Sequence, residues 1–215
     1  MPKKKPKNQT RIENGEPQIG RNIGTTRAKK PILKKEFDRL INATNKSLSL
    51  HPATKRKFTS AFTLLYLTGC RISEIVNFSA KDVQQMIQEN EYSLTNKTKT
   101  KTSRLISFDS NQLQIEYLKK ILPKNDVFIF AKNNTNKPMT TGAFTIMMNK
   151  FIHSILGELY STHSFRAGYI TASHQLDLSL EHIRQDIGHK NIATTARYAI
   201  VTNEEISLGK NKRIW

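Results

Sequence analysis

Two histidines, an arginine and a tyrosine lie at spacings suited to phosphorus chemistry in the segment from His163 to Tyr198. His163 and Arg166 are three residues apart, so on a helix they share one face and can contact the same phosphate group. His189 follows Gly188, a residue type that often ends helices, and Tyr198 comes nine residues after His189. A tyrosine hydroxyl near cationic donors can attack phosphorus without a metal, because the donors stabilise the developing charge.

A fourth candidate, Arg71, lies at a junction between two predicted helices. The apolar residues of segment 53–67 repeat with helical spacing, and Gly69 is placed to end that helix. Ser73 is placed to cap the next short helix, with Glu74 in its first turn. A guanidinium held at such a rigid junction can donate two hydrogen bonds to one phosphate. The structural alternative is an ion pair between Arg71 and Glu74.

Residues 91–108 have a different character from the helical segments around them. Residues that favour strands flank a polar run of lysines and threonines, which predicts a hairpin projecting from the body. Lys97, Lys99 and Lys101 alternate along this run and share one face of an extended strand. The simplest interpretation is a solvated basic hairpin that contacts backbone phosphates.

Composition points to a polyanionic partner. The 215 residues carry 35 Lys and Arg against 17 Asp and Glu, a formal net charge of +18. Phosphate contacts release counterions, so such a surface binds nucleic acid with an affinity that falls with salt. Charge alone favours DNA and RNA about equally. No apolar run approaches the length of a membrane span or a signal region, and the single Cys70 cannot form an internal disulfide.

The composition divides the chain into two parts. Residues 1–30 have few large apolar side chains and nine Lys or Arg against two Glu, which predicts a disordered basic arm. The run PKKKPK within it resembles a nuclear-import signal, but such runs also serve non-specific DNA binding. Residues 31–215 are long enough for one domain with a substantial hydrophobic core.

Three segments resemble the conserved boxes of the tyrosine recombinases, also called phage-type integrases. They are TGCRISEI (68–75), HSFR (163–166) and IGHKNIATTARY (187–198), in the family's order and at roughly its separations. A lone His-x-x-Arg is a weak signal, whereas three ordered boxes are specific. The resemblance implies an α+β fold that is predominantly α-helical, with a small antiparallel β hairpin, over residues 31–215.

The resemblance also implies how the phosphate is held. Arg71 and Arg166 would form a clamp on its non-bridging oxygens, and His189 would donate a hydrogen bond to it. His163 would be the acid/base partner of the nucleophile. These four side chains together would stabilise the charge that develops during attack.

The same resemblance assigns the bond-making and bond-breaking groups. Tyr198 would be the nucleophile, forming a 3′-phosphotyrosyl intermediate. Lys99 would protonate the departing 5′ oxygen, with the neighbouring lysines of the hairpin as rivals for that role. Thr194 and Thr195 match the family's paired threonines and are expected to cap or pin the helix that carries the tyrosine.

We therefore predict a site-specific DNA recombinase or integrase that acts on double-stranded DNA as a homo-oligomer, a tetramer. We expect no cofactor, no metal and no membrane association, and a cytoplasmic location on the nucleoid in preference to a nuclear one. Family members carry a further helical domain ahead of the catalytic one, so we expect either that the basic arm replaces it weakly or that an accessory protein supplies that clamp. Two alternatives stay open: a type IB topoisomerase-like enzyme, and a non-catalytic DNA-binding accessory protein with the same fold.

Overall fold

The structure is a computed structural model, and it describes residues 29–94, 103–107, 113–125, 127–132 and 135–198. In chain order the elements are α1 (Lys34–Lys46), α2 (Pro52–Thr68), α3 (Ile72–Ile75), α4 (Ala80–Glu89), β1 (Glu91–Ser93), β2 (Leu105–Ser107), α5 (Leu113–Ile121), α6 (Thr141–Leu156), α7 (Thr162–Gln175), α8 (Leu180–Ile187) and α9 (Ile192–Ala196). The predicted fold class, mostly helical with a small antiparallel hairpin, is confirmed. Over the described ranges, no helix has the length and apolar character needed to cross a bilayer.

Helix α2 is the centre of the hydrophobic core. Every side chain from residue 58 to residue 65 is buried, and the helix packs against α1, α5 and α7. The ring of Phe62 stacks on Phe165 of α7 with centroids 5.6 Å apart, and it lies 6.2 Å from Phe151 of α6. Because aromatic side chains bury large areas, these contacts fix α6 and α7 against α2. As predicted, α2 ends at Gly69, which has a left-handed conformation.

The chain segment ahead of α1 crosses α7 at very short range. The backbone N–H of Ile32 donates to the carbonyl of Ser164 at 2.9 Å, and the N–H of Lys30 donates to Leu159 at 3.0 Å. A Cβ at Gly168 would lie 2.0 Å from the carbonyl oxygen of Ile32. Only a glycine at position 168 permits this close approach of the Ile32 backbone to α7. The candidate site residues His163 and Arg166 lie on the same helix.

The predicted hairpin is present. Strands β1 and β2 are antiparallel, with Tyr92 opposite Ile106. Ile106 is buried in the core, as is Leu94, whose N–H donates to the carbonyl of Arg104 at 2.9 Å. The connecting residues 95–102, with the three candidate lysines, lie outside the described residues.

The basic arm extends beyond the described residues. Of residues 1–30, only Lys29 and Lys30 are described, so the disorder of the arm stays a prediction.

Gly168→Ala tests the close crossing. The added methyl group meets a backbone atom, so it cannot be relieved by a rotamer change, and we expect a loss of ~2 kcal/mol or more in the free energy of unfolding. Gly142→Ala, near the start of α6, is the matched control because nothing lies within 4 Å of its added Cβ. The control should be neutral or stabilising by up to about 1 kcal/mol. Equal effects of the two substitutions in urea unfolding would contradict the crossing.

Candidate active site

Three of the predicted site residues converge on one open cleft of about 230 Å³. Arg71 enters it from the junction ahead of α3, whereas His163 and Arg166 come from the first turns of α7. The opposite wall carries Thr141 and Thr145 of α6. The packing of α6 and α7 on α2 therefore brings sequence-distant cationic groups to one place.

Arg166 is held almost entirely by main-chain oxygens. Its side chain is 7% exposed; Nη1 donates to the carbonyl of Gly69 at 2.8 Å, and Nη2 donates to the carbonyl of Ile187. Nε donates to Nε2 of His189 at 3.1 Å. Each Nη nitrogen keeps one further N–H, so the guanidinium can still bind a phosphate through two parallel donors.

Arg71 occupies a more exposed position than Arg166. Nη1 donates to Oε1 of Glu74 at 3.0 Å, and Nη2 lies 3.4 Å from the carbonyl oxygen of Gly188. The side chain of Arg71 is 42% exposed. The structural alternative for Arg71, an ion pair with Glu74, is thus present together with its position in the cleft.

The expected capping role of Ser73 is wrong. Helix α3 begins at Ile72 with Arg71 as its N-cap, and the backbone N–H of Arg71 donates to Oε2 of Glu74 at 2.7 Å. Glu74 reaches back because its side chain is long enough to span the first turn, which leaves Ser73 as the second residue of the helix.

Glu74 is the buried carboxylate of the site. It is 2% exposed and accepts hydrogen bonds from Arg71 and, at 2.9 Å, from Nη2 of Arg104. Burial by itself would raise the pKa of Glu74, but Arg104 and the backbone N–H of Arg71 outweigh it, so the pKa lies below its ordinary value.

The positive charge of the site exceeds what Glu74 neutralises. Burial, followed by the neighbouring Arg71 and Arg104, lowers the pKa of Arg166. A buried cation next to two others is relieved by an anion in the cleft. The electrostatics therefore favour an occupant with a negative charge, such as a phosphodiester.

His189 lies behind Arg166 and is buried. Since a guanidinium can only donate, Nε2 of His189 must be the acceptor, and the ring proton is on Nδ1, 3.0 Å from Oγ1 of Thr195. Burial, then the cations Arg166, Arg71 and Arg104, lowers the pKa of His189 to about 4. The resemblance implies donation from His189 to the phosphate. In the geometry described, its Nε2 instead accepts from Arg166 and orients that side chain.

His163 is exposed and lies in the first turn of α7, as expected. The backbone N–H groups around it are already engaged: Ser161 donates to Oγ of Ser164 at 3.0 Å, and Thr162 donates to Oδ1 of Asn149 at 2.8 Å. Side chains, more than free backbone N–H groups, therefore present donors to an anion at this helix end.

Tyr198 is not among the described residues that line the cleft. It lies two residues beyond α9 and packs, half-buried, against the cluster of Ile170, Ile183 and Ile187. Its carbonyl oxygen accepts from Oγ1 of Thr171 at 3.1 Å. An attack by Tyr198 on a phosphate in this cleft requires the tyrosine to leave that packing.

The threonines ahead of the tyrosine do not cap α9. Asn191 is the N-cap, with its Oδ1 accepting from the N–H of Ala193 at 2.8 Å. Thr195 instead contacts the ring of His189. Its neighbour Thr194 is half-buried.

Lys99, the predicted general acid, and its rivals Lys97 and Lys101 lie outside the described residues. Within the described parts of the chain, no group of His, Cys, Asp or Glu side chains is arranged to hold a metal ion.

Sequence reasoning missed two contacts that support the site. Arg104 is buried against Glu74, although the lysine-rich run around it predicts only solvated charges. Tyr169 donates from its hydroxyl to Oδ2 of Asp186 at 2.5 Å and ties α7 to α8. Neither residue type nor spacing signals these contacts, because both join segments distant in sequence.

A family model and individual known sequences both match this chain, and they indicate the same family. The sequence model described as the Phage integrase family matches residues 30–205. Tyrosine recombinase XerC of Staphylococcus epidermidis is 27% identical over 150 residues, which are 66% of this chain and 49% of that protein. XerC of Staphylococcus saprophyticus is 29% identical over 150 residues, with the same two shares. The chain thus spans about half the length of these relatives.

Solved structures show the same fold. The Tn1549 transposon integrase in complex with circular intermediate DNA matches with a TM-score of 0.67 at 16% identity, covering 86% of this chain and 67% of that one. XerH recombinase bound to difH DNA matches with a TM-score of 0.64 at 18% identity, covering 89% and 56%. At these identities the likeness shows the fold alone, and it confirms the predicted catalytic-domain fold.

The depressed pKa of His189 predicts a pH dependence of stability. Between about pH 6.5, the ordinary value, and about pH 4, the unfolded chain binds a proton at this residue that the folded chain does not bind. Stability should therefore fall as the pH falls through this window, and His189→Gln should reduce the slope. His182→Gln, on the exposed surface of α8, is the control. Urea unfolding at a series of pH values measures the slopes, and an unchanged slope in His189→Gln would contradict the assignment.

Proposed function

This chain belongs to the phage integrase family, and on that premise we propose that it is a site-specific DNA recombinase that acts through a 3′-phosphotyrosyl intermediate. The observation that carries the proposal is the convergence of Arg71, His163 and Arg166 on one cleft with excess positive charge. A scissile phosphate in that cleft would meet two guanidiniums and the exposed His163.

In the proposed first step, the hydroxyl oxygen of Tyr198 forms a bond to phosphorus, and the bond from phosphorus to the 5′ oxygen breaks. His163 takes the phenol proton, because free tyrosine, with a pKa of ~10, is mostly protonated near neutral pH. Lys99 gives a proton to the departing 5′ oxygen. Arg71 and Arg166 bind the non-bridging oxygens, where negative charge increases in the transition state.

The second step reverses the first with a new strand. A 5′ hydroxyl gives its proton to Lys99 and attacks phosphorus, the bond from phosphorus to Tyr198 breaks, the tyrosine regains its proton from His163, and a phosphodiester forms. The covalent intermediate conserves the energy of the broken bond, so religation requires no ATP.

Tyr198 reaches the phosphate by displacement of the segment that follows α8. Helix α9 has five residues, and a helix this short has little stability of its own. Its described attachments are the apolar contacts of Tyr198, the hydrogen bond from Thr171 and the hydrogen bond between the buried Thr195 and His189. Exchanging these few contacts for contacts with DNA is a small rearrangement compared with moving an element of the core.

The proposed partners follow from the family and from the charge. Double-stranded DNA is the substrate, several copies assemble on it as a tetramer, and an accessory protein contributes to the clamp around the DNA. The DNA-bound state of the Tn1549 and XerH structures supports the first of these. A cytoplasmic, nucleoid-associated location accords with such a substrate.

A non-catalytic DNA-binding protein is the second candidate function. The observation in its favour is the packing of Tyr198 away from the cleft. A protein with this role would bind DNA with the salt dependence of a phosphate-contacting surface and would form no covalent bond.

Covalent trapping decides between the candidates. The protein is incubated with a pool of nicked duplexes of random sequence, so that a cleaved fragment diffuses away and the adduct accumulates. A denaturing gel then detects protein bound covalently to DNA. We expect an adduct with the native chain and none with Tyr198→Phe, whereas Tyr117→Phe, on the exposed side of α5, should match the native chain.

The other outcomes separate the alternatives. Adduct from Tyr198→Phe would show that the nucleophile is wrongly assigned. DNA binding without any adduct would support the non-catalytic protein. Relaxation of supercoiled DNA without strand exchange would identify a topoisomerase.

Arg166→Lys tests the clamp. Lysine cannot donate to the carbonyls of Gly69 and Ile187 and to His189 and also present two parallel donors to the phosphate. The negative charge of the transition state is therefore less stabilised. We expect single-turnover cleavage to slow by about 10²-fold or more, with DNA affinity changed only a few-fold. Arg56→Lys, near the start of α2, is the control. A loss of affinity equal to the loss of rate would mean that Arg166 serves binding alone.

A further inference from the structure

Arg104 is a buried arginine at the base of the hairpin. It directly precedes β2, its carbonyl oxygen accepts from Leu94, and its side chain is 8% exposed. It does not line the cleft, so it is separate from the groups that face a phosphate.

The guanidinium of Arg104 bridges two segments that are distant in sequence. Nη2 donates to Oε2 of Glu74 at 2.9 Å and lies 3.3 Å from Sγ of Cys70. Nη1 donates to the carbonyl oxygen of Asp186. One planar group therefore holds both the junction ahead of α3 and the end of α8.

These two segments are the same ones that hold Arg166. Its carbonyl partners, Gly69 and Ile187, are the chain neighbours of Cys70 and Asp186, the partners of Arg104. Arg104 and Arg166 therefore bind neighbouring residues in the same two segments, the junction ahead of α3 and the end of α8. If Arg104 is removed, the distance between the acceptors of Arg166 is no longer fixed.

Arg104 also acts on the second arginine of the cleft. Glu74 shares its carboxylate, with Oε1 accepting from Arg71 and Oε2 accepting from Arg104. Oε2 also accepts from the backbone N–H of Arg71 at 2.7 Å, so without Arg104 the carboxylate stays in place and its charge is shared with one guanidinium fewer. Arg104 thus limits how strongly the carboxylate competes with a phosphate for Arg71.

The turn after α8 is shaped around the stem of Arg104. Gly188 has a φ of +67°, and a Cβ there would lie 3.0 Å from Cδ of Arg104. His189 follows directly, so its position depends on the same packing. A glycine at position 188 therefore leaves room for the Arg104 side chain that packs against it.

From these contacts we propose that Arg104 is a positioning residue, which sets the geometry of Arg71 and Arg166 through Glu74 and the end of α8. It touches no substrate atom. Because it belongs to the hairpin, it also joins the position of β1 and β2 to that of the clamp. The proposal deepens the proposed function, since the property that it controls is phosphate cleavage.

Arg104→Lys is the first test, because lysine keeps the charge and loses the planar fork. In single-turnover cleavage of the nicked DNA we expect a loss of about 10²-fold, since small displacements of catalytic groups have effects of this size. DNA affinity should change only a few-fold. Arg39→Lys, an exposed arginine that donates to the carbonyl of Ile155, is the matched control. A rate equal to that of the control overturns the proposal.

A double-mutant cycle with Arg71 separates positioning from general loss of structure. If Arg104 acts through Arg71, adding Arg104→Lys to Arg71→Lys should slow cleavage by much less than Arg104→Lys slows it in the native chain. Effects that multiply fully would show that Arg104 acts elsewhere. Each rate is measured at a temperature where thermal unfolding shows the variant to be folded, and Arg104→Gln replaces a lysine variant that does not fold.

Cys70 provides a measurement that does not need activity. It is the single cysteine of the chain, 1% exposed and in contact with Arg104. Labelling of the native protein by a thiol reagent should be at least tenfold faster in Arg104→Lys than in Arg39→Lys. If labelling of Cys70 is faster in Arg104→Lys but the native chain forms no covalent adduct with DNA, the proposed function is refuted and the packing role of Arg104 is retained. Unchanged labelling would overturn the proposal in either case.

Discussion

The site depends on one buried carboxylate shared between two arginines. Glu74 accepts from Arg71 with one oxygen and from Arg104 with the other, and a third guanidinium, that of Arg166, lies beside them. Buried ion pairs contribute little net stability, because desolvation cancels much of the attraction. Their effect here is geometric. A single anion among three cations keeps the guanidiniums close together while leaving an excess of positive charge that faces the cleft.

The hydrophobic core provides the rigidity that this arrangement requires. Helix α2 is buried from residue 58 to residue 65 and ends at Gly69, whose carbonyl oxygen holds Arg166, while Phe165 of α7 stacks on Phe62. Like charges at short range repel, so they stay together only if the backbone that carries them cannot relax. The peripheral position of Tyr198 contrasts with this rigidity. In the proposed function the fixed groups hold the phosphate, and the tyrosine that makes and breaks the covalent bond follows the five-residue helix α9.

Much of the fold, and part of the site, was predictable from local sequence signals. Gly69 and Gly188 end their helices as predicted, and the change of pattern after residue 90 is a hairpin. The convergence of Arg71, His163 and Arg166 followed from the resemblance, not from periodicity. What sequence missed are contacts between distant segments: the burial of Arg104, the pairing of Thr195 with His189, and the packing of Tyr198 outside the cleft. These depend on tertiary packing, which local patterns do not encode.

The central claim is that Arg71 and Arg166 act on one phosphate, and DNA with a methylphosphonate at the cleavage position tests it most directly. The substitution replaces a charged non-bridging oxygen by a neutral methyl group, so an arginine whose role is to stabilise that charge becomes dispensable. Single-turnover cleavage by Arg71→Ala and Arg166→Ala should fall by about 10²-fold or more on ordinary DNA. On the methylphosphonate both variants should come within a few-fold of the native chain. Equal defects on the two substrates would contradict the account.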